Sequence, residues 1–324
     1  MGLDCGVPSR PLDGHYPSFR SDGVRERPPG RHSARRQLGE RAWLEHMALQ
    51  VHTAATVETR VGEIRLSKAG QAETALLVIT PMAEWMVAAL PAELCDLFTV
   101  NLVELPGGGS AVSPAGASTI DAVVDAVHDV VERIGEKPVL FGHSMNGCLA
   151  FAAASTEACS GVIAVTPPSS LPPDQAAVAA YWESHAEPDR RRRANEIIKA
   201  HEAATSDEDR ARLQSESRLR QWYDLEFDPT ELDALATLNG NWVSSIFESG
   251  KAVDWQSLFR RLQQPVLLAF GEYDFVAPPG AWTAEVAPPA ATLHLFKRSG
   301  HTPYVEETEE FLQVVAAWRA ANVL

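Results

Sequence analysis

From residue 51 onward, short apolar runs bounded by turn-forming residues alternate with longer stretches in which apolar residues recur every three or four positions. Short runs and period two mark strands, whereas a period near 3.6 marks helices that bury one face. The runs predict strands at 55–60, 62–67, 75–80, 98–104, 138–142, 161–166, 265–270 and 291–296. Between 118 and 134, Ile120, Val123, Val124, Val127, Val130, Val131 and Ile134 fall at helical spacing, with Ser118 and Asp121 as a capping-box-like start. Strands alternating with such helices predict an α/β fold, a mostly parallel central sheet with helices on both faces.

The rhythm changes between 168 and 250, where strands vanish and charged helical segments carry interspersed aromatic residues. Pro167-Pro168 and Pro172-Pro173 stop the preceding strand, and the strand pattern returns at Pro265-Val266. This predicts a helical lid at 168–250 inserted into a core formed by 47–167 and 251–324. Residues 1–46 are rich in Gly, Pro, Ser and Arg without apolar periodicity, which predicts a disordered extension. Met47 opens more ordinary sequence, so the first 46 residues are expected to be dispensable.

Composition narrows the partners. With 45 % hydrophobic and 22 % charged residues the chain has the make-up of a globular protein with a sizeable core. A net charge of −15 disfavours nucleic acid and anionic membrane surfaces. Cys5, Cys95, Cys148 and Cys159 form no CxxC pair and no zinc-like spacing, which points to reduced thiols and to no structural metal. No apolar run approaches the length of a membrane helix, and Arg35-Arg36 is followed by polar QLGERAWLEH where an export signal needs an apolar run. The expected location is the cytoplasm.

The chemistry is concentrated in three loops. In PVLFGHSMNGCLAFAAA an apolar strand runs into Gly142-His143-Ser144-Met145-Asn146-Gly147 and then into a small-residue helix. A serine on so sharp a turn needs small neighbours two positions away on either side. Gly142 supplies one, and Asn146 stands where the other is usual, as a residue tolerant of unusual backbone angles. Strand 265–270 leads to Gly271-Glu272-Tyr273-Asp274, and strand 291–296 leads to Ser299-Gly300-His301-Thr302-Pro303, followed by Glu306 and Glu307. All three polar residues lie just past strand ends, where open α/β sheets place their ligands.

Over roughly residues 55–320 the chain resembles the α/β-hydrolase fold superfamily, whose elbow is close to GHSMGG and whose catalytic order is Ser, Asp, His. The resemblance implies Ser144 as nucleophile, His301 as its base and Asp274 as the residue that orients the imidazole, with Glu272 as the rival acid. It implies an oxyanion hole built from the backbone N–H of Met145 and one from the loop after strand 75–80. Thr80-Pro81-Met82 stands there in place of the usual His-Gly, and because proline has no N–H, Met82 is the expected second donor. The segment Glu104–Ser110 is similar to the family's Asp-x-x-Gly-x-Gly loop and reads as a tight turn beside the site, since no Gly-Lys-Ser/Thr follows for phosphate.

Trp85, Trp182 and Trp222 are candidates for an aromatic wall against substrate, the alternative being packing within the protein. Arg190–Arg193 read as a solvated helical face, and His143 as a packed neighbour of the elbow. The expected function is a serine hydrolase of a small-molecule ester, lactone or amide, a carboxylic ester hydrolase first of all, without cofactor. Three alternatives stay open. The lid and the acid and histidine loops are also similar to those of proline iminopeptidases, although their HGGPG loop is absent, and Glu183, Glu187, Glu202 or Glu226 would then anchor an amine. The fold also hosts C–C hydrolases and lyases, and a ligand-binding receptor without turnover is the non-enzyme reading.

Overall fold

The computed structural model describes residues 48–108, 118–155, 158–206, 217–322 and 324; the expected N-terminal extension lies outside them. Eight strands form one sheet: β1 (Thr53–Thr59), β2 (Gly62–Ala69), β3 (Ala75–Thr80), β4 (Thr99–Glu104), β5 (Val139–His143), β6 (Gly161–Val165), β7 (Val266–Gly271) and β8 (Ala291–Phe296). Their order is β1-β2-β4-β3-β5-β6-β7-β8. β2 is antiparallel to both neighbours, and every pairing from β4 through β8 is parallel.

Burial explains the two kinds of sequence pattern. β3, β5, β6 and β7 are buried at every position, as strands covered by helices on both faces must be, and they read as unbroken apolar runs. β2 mixes exposed positions with buried Ile64, Ser67 and Ala69. Alternate residues of the central strands feed two cores: Leu77, Ile79, Leu140 and Val162 on one face, Leu76, Val78, Phe141 and Ile163 on the other.

Three helices, α3 (Ile120–Ile134), α4 (Met145–Ala154) and α9 (Trp255–Arg261), pack on the first face. The second is covered by α1 (Ala83–Ala89) and α11 (Thr308–Ala321), with α2 (Leu94–Leu97) beside them. In α3, Ile120, Val123, Val127 and Val130 form the buried stripe, each worth about 1.5–3 kcal/mol of burial. Its cap is Thr119, whose side chain accepts from the Ala122 N–H; Ser118, expected to start the helix, lies one residue too early to reach that N–H. Gly135 ends the helix in the left-handed conformation.

Between β6 and β7 the described residues contain helices and no strand: α5 (Gln175–His185), α6 (Pro188–Ala203), a 3-10 turn (Ser217–Arg220), α7 (Thr230–Asp233) and α8 (Gly240–Gly250), before α9 returns the chain to the core. No helix among the described residues is long and apolar enough to cross a membrane. The remaining helix, α10 (Pro303–Glu306), follows the loop after β8 and leads into α11.

Candidate active site

The three polar residues singled out in the sequence all follow the carboxyl ends of parallel strands, β5, β7 and β8, with β6 between the first two. Ser144 directly follows β5 and has φ 56° and ψ −129°, a conformation that non-glycine residues rarely adopt. Its backbone N–H donates to the Val165 carbonyl at 2.8 Å, which ties the turn to the end of β6. A side chain at position 142 would come within 2.2 Å of the Asn146 carbonyl, and one at 147 within 2.7 Å of the Pro167 ring. The turn therefore needs glycine at 142 and at 147. Asn146 is itself helical, part of α4, and is not among the residues with positive φ. Its acceptance there draws on helical geometry rather than on tolerance of unusual angles.

The imidazole of His301 is held from several sides. Its Nδ1 lies 2.8 Å from Asp274 Oδ2, and an ionised carboxylate only accepts, so Nδ1 carries the proton. Asp274 has no exposed surface, and its Oδ1 accepts from the N–H groups of Val276 and Ala277 at 2.8 and 2.9 Å. Glu272, the rival acid, pairs instead with Lys297 at 3.5 Å.

The carbonyl of His301 accepts from His143 Nε2 at 2.9 Å and from Thr166 Oγ1 at 3.0 Å. The His143 and His301 rings lie 4.8 Å apart between centroids, so the residue preceding Ser144 touches the imidazole directly. Burial pushes the His143 ring down to about 3, with the neighbouring His301 adding to the effect, and it stays neutral. Stacking on Trp85 and edge contact with Tyr304 fix its plane.

Behind the histidine loop lies Glu306, partly buried. Its Oε2 accepts from Gly300 N–H at 2.7 Å and Ser299 Oγ at 3.2 Å, and its Oε1 accepts from Tyr223 N–H at 2.7 Å. Burial outweighs these bonds and pushes the carboxyl up to about 8.

The expected oxyanion donors differ in availability. Met145 N–H sits at the first position of α4, among the groups a helix leaves without an intrahelical acceptor. Met82 N–H donates to Thr80 Oγ1 at 2.9 Å. The Gly-rich loop runs beside this segment, with Gly108 against the Pro81 carbonyl; position 109 lies outside the described residues.

The three tryptophans expected to face substrate are packed into the protein. Trp85 is 5 % exposed and stacks on His143; Trp182, 6 % exposed, meets Phe275 edge-on and carries the Arg220 guanidinium over its face at 4.7 Å; Trp222, 4 % exposed, lies against Phe227. Their large faces are thus spent on protein contacts, which gives them the packing role.

The charge run also departs from expectation. Arg192 and Arg193 sit on the surface in ion pairs, but Arg190 is 3 % exposed, because a helix turns successive side chains by about 100° and one of the four faces inward. Glu183, Glu187 and Glu226 each pair with an arginine of this run. Thr166, Gln221 and Arg190 have no sequence motif that marks them; Thr166 is visible in the structure by its positive φ of 46°, which is strained for a β-branched residue and directs its hydroxyl to His301.

The sequence profile of the Alpha/beta hydrolase family matches residues 80–314. The dihydrolipoyllysine-residue acetyltransferase component of the acetoin cleaving system of Cupriavidus necator is 26 % identical over 251 residues, covering 75 % of this chain and 63 % of that protein. The chain thus spans less than two-thirds of that relative's length. A proline iminopeptidase of Mycobacterium smegmatis superposes with a TM-score of 0.63 at 22 % identity, covering 83 % of this chain and 98 % of the other. A thermophilic esterase of Thermogutta terrifontis does so with a TM-score of 0.60 at 22 % identity, covering 84 % and 99 %. At such identities the two superpositions speak for the fold.

Proposed function

This chain belongs to the alpha/beta hydrolase family, and from that premise we propose that it is a serine hydrolase of small-molecule esters, lactones or amides, working through an acyl-Ser144 intermediate. The observation that supports the proposal is the packing of His143, the residue before strained Ser144, against an imidazole bonded to a carboxylate that has no exposed surface.

In this reading His301 takes the proton from Ser144 Oγ as the oxygen attacks the carbonyl carbon, then gives it to the leaving group. Water then attacks the acyl-enzyme by the same route in reverse. Asp274 holds the tautomer with Nδ1 protonated and stabilises the imidazolium without accepting the proton. The developing oxyanion is received by Met145 N–H and by Met82 N–H, the latter sharing or releasing its bond to Thr80 Oγ1. Each such donor is worth about 3 kcal/mol in the transition state, so the Thr80 bond bears directly on rate. The helical insertion serves as the lid, and the reaction draws on no metal or cofactor.

A fluorophosphonate probe tests the proposal: the folded protein is expected to become labelled at Ser144, and the Ser144→Ala variant to remain unlabelled. Equal labelling of the two proteins would remove the nucleophile. Mass spectrometry of adducts trapped from a mixed library of esters and aminoacyl amides then assigns the acyl group; a predominance of aminoacyl adducts would move the reading to a peptidase.

A further inference from the structure

The helical insertion contributes a length of chain, Leu219–Tyr223, that lies directly across the acid and histidine loops. The Arg220 carbonyl accepts from Phe275 N–H at 3.0 Å, one residue beyond Asp274. The Gln221 carbonyl accepts from His301 N–H at 2.6 Å. Approach is so close that a side chain at position 300 would come within 2.1 Å of the Gln221 oxygen, and Gly300 makes room for it. Tyr223 N–H reaches Glu306, the same carboxylate that binds Gly300.

The other three carbonyls of this strap converge on one side chain. Arg190 Nη1 donates to Leu219 O at 2.6 Å and Trp222 O at 2.7 Å, and Nη2 donates to Tyr223 O at 2.8 Å. Its Nε donates to Glu187 at 3.1 Å, and its guanidinium carbon lies 5.4 Å from the ring centroid of Tyr273 and 5.7 Å from that of Phe275, which flank Asp274. A guanidinium has a planar fork of donors that an ammonium lacks, so it can fix the direction of several carbonyls at once. The carbonyls of 219, 222 and 223 are turned toward Arg190, while those of 220 and 221 are turned toward Phe275 and His301.

We propose that Arg190 is a positioning residue for His301 and Asp274, acting through the backbone of Leu219–Tyr223. The inference rests on the triad reading above. Arg190 touches neither substrate nor the reacting atoms; it sets where the backbone of residues 275 and 301 can sit, and through them the placement of the imidazole and its carboxylate. A lid built this way is part of the catalytic frame, and changes in the insertion are felt at the imidazole without any contact with substrate.

The test uses the full chain and three variants, R190K, R190A and R192M, with the fluorophosphonate as probe. R190K keeps the charge and most of the stem but cannot span three carbonyls. R192M removes an exposed arginine of the same helix and is expected to behave as wild type. With thermal melting as the check on folding, R190K is expected to lower the saturating labelling rate by about 10- to 100-fold, the scale of a small misplacement of reacting groups. Half-saturation by the probe is expected to change by no more than about two-fold, since binding is untouched.

The low-field proton resonance of His301 Nδ1 is expected to shift or broaden in R190K, and guanidinium ion at non-denaturing concentration to restore part of the rate in R190A. R190K labelling at the wild-type rate with that resonance unmoved would overturn the inference, whether or not R190A folds. The two readings fail separately: labelling of Ser144→Ala would remove the nucleophile, whereas the His301 resonance in R190K decides the role of Arg190 without reference to turnover.

Discussion

Asp274 uses both carboxylate oxygens, one on His301 and the other on two backbone N–H groups, and no part of it is exposed. Substitution by Asn keeps an oxygen for Val276 and Ala277 but then presents an NH2 group to Nδ1, which favours the wrong imidazole tautomer. D274N is therefore expected to fold and to lose about 10⁴-fold in kcat, measured on whichever ester the adduct screen identifies. Combined with H301A it is expected to cost little more than H301A alone, as the proposed triad requires of groups that act as a unit; multiplicative losses in the double variant would count against the assignment. His143 works differently. Burial keeps its ring neutral, so across the working pH range it remains a fixed Nε2–H donor to the His301 carbonyl rather than a second base.

Loops rather than helices or strands bring the site together, and each is held by a specific close approach. Gly300 lies under the Gln221 carbonyl, where a methyl group has no room. G300A is expected to destabilise the fold by about 1–3 kcal/mol in denaturant titration and to slow Ser144 labelling, since the displaced loop carries His301. Glu306 joins this loop to the inserted segment through Gly300 and Tyr223. Its folded carboxyl is pushed up to about 8 from an ordinary 4.5, so between those values the folded state holds a proton that the unfolded chain has released. Stability from this group is full below about 4.5 and is lost as pH rises through about 8. E306Q cannot titrate, so its melting temperature is expected to gain on that of the wild type as pH rises across this window; parallel curves would remove the buried proton.

On the scale of the whole molecule, the sheet carries two apolar cores with α4 buried along its length. Cys148 in α4 has no exposed surface, and Cys159 is 3 % exposed just before β6. Burial raises both thiols, Cys159 to about 12 and Cys148 further, so neither forms thiolate at ordinary pH while the fold is closed. Thiol-reactive reagents are expected to modify these two cysteines only as fast as the core opens, with half-times that shorten in step with denaturant unfolding. Rapid native-state modification at either position would mean that the core opens locally.

Strand positions, the parallel sheet and the three chemical loops were legible in the sequence because each is written locally. β3 and β8 fall at the predicted residues, and the helix after Thr119 follows its apolar spacing. The small-residue turn at Ser144 and the polar residues past β7 and β8 are equally local. What depended on distant parts of the chain could be decided only by the tertiary structure. Arg190 is one of four adjacent arginines, and only packing against residues 219–223 and 273–275 singles it out. The tryptophans had the composition of a binding wall, but His143 and Phe275, from other elements, cover Trp85 and Trp182, and Phe227 of the same loop covers Trp222. Met82 has an N–H by sequence, and its loss to Thr80 two residues away is a local turn that residue types alone do not specify. Backbone propensity and hydrophobic period act over a few residues; the direction of a side chain and the partner of a buried polar group are set by whatever the fold brings alongside.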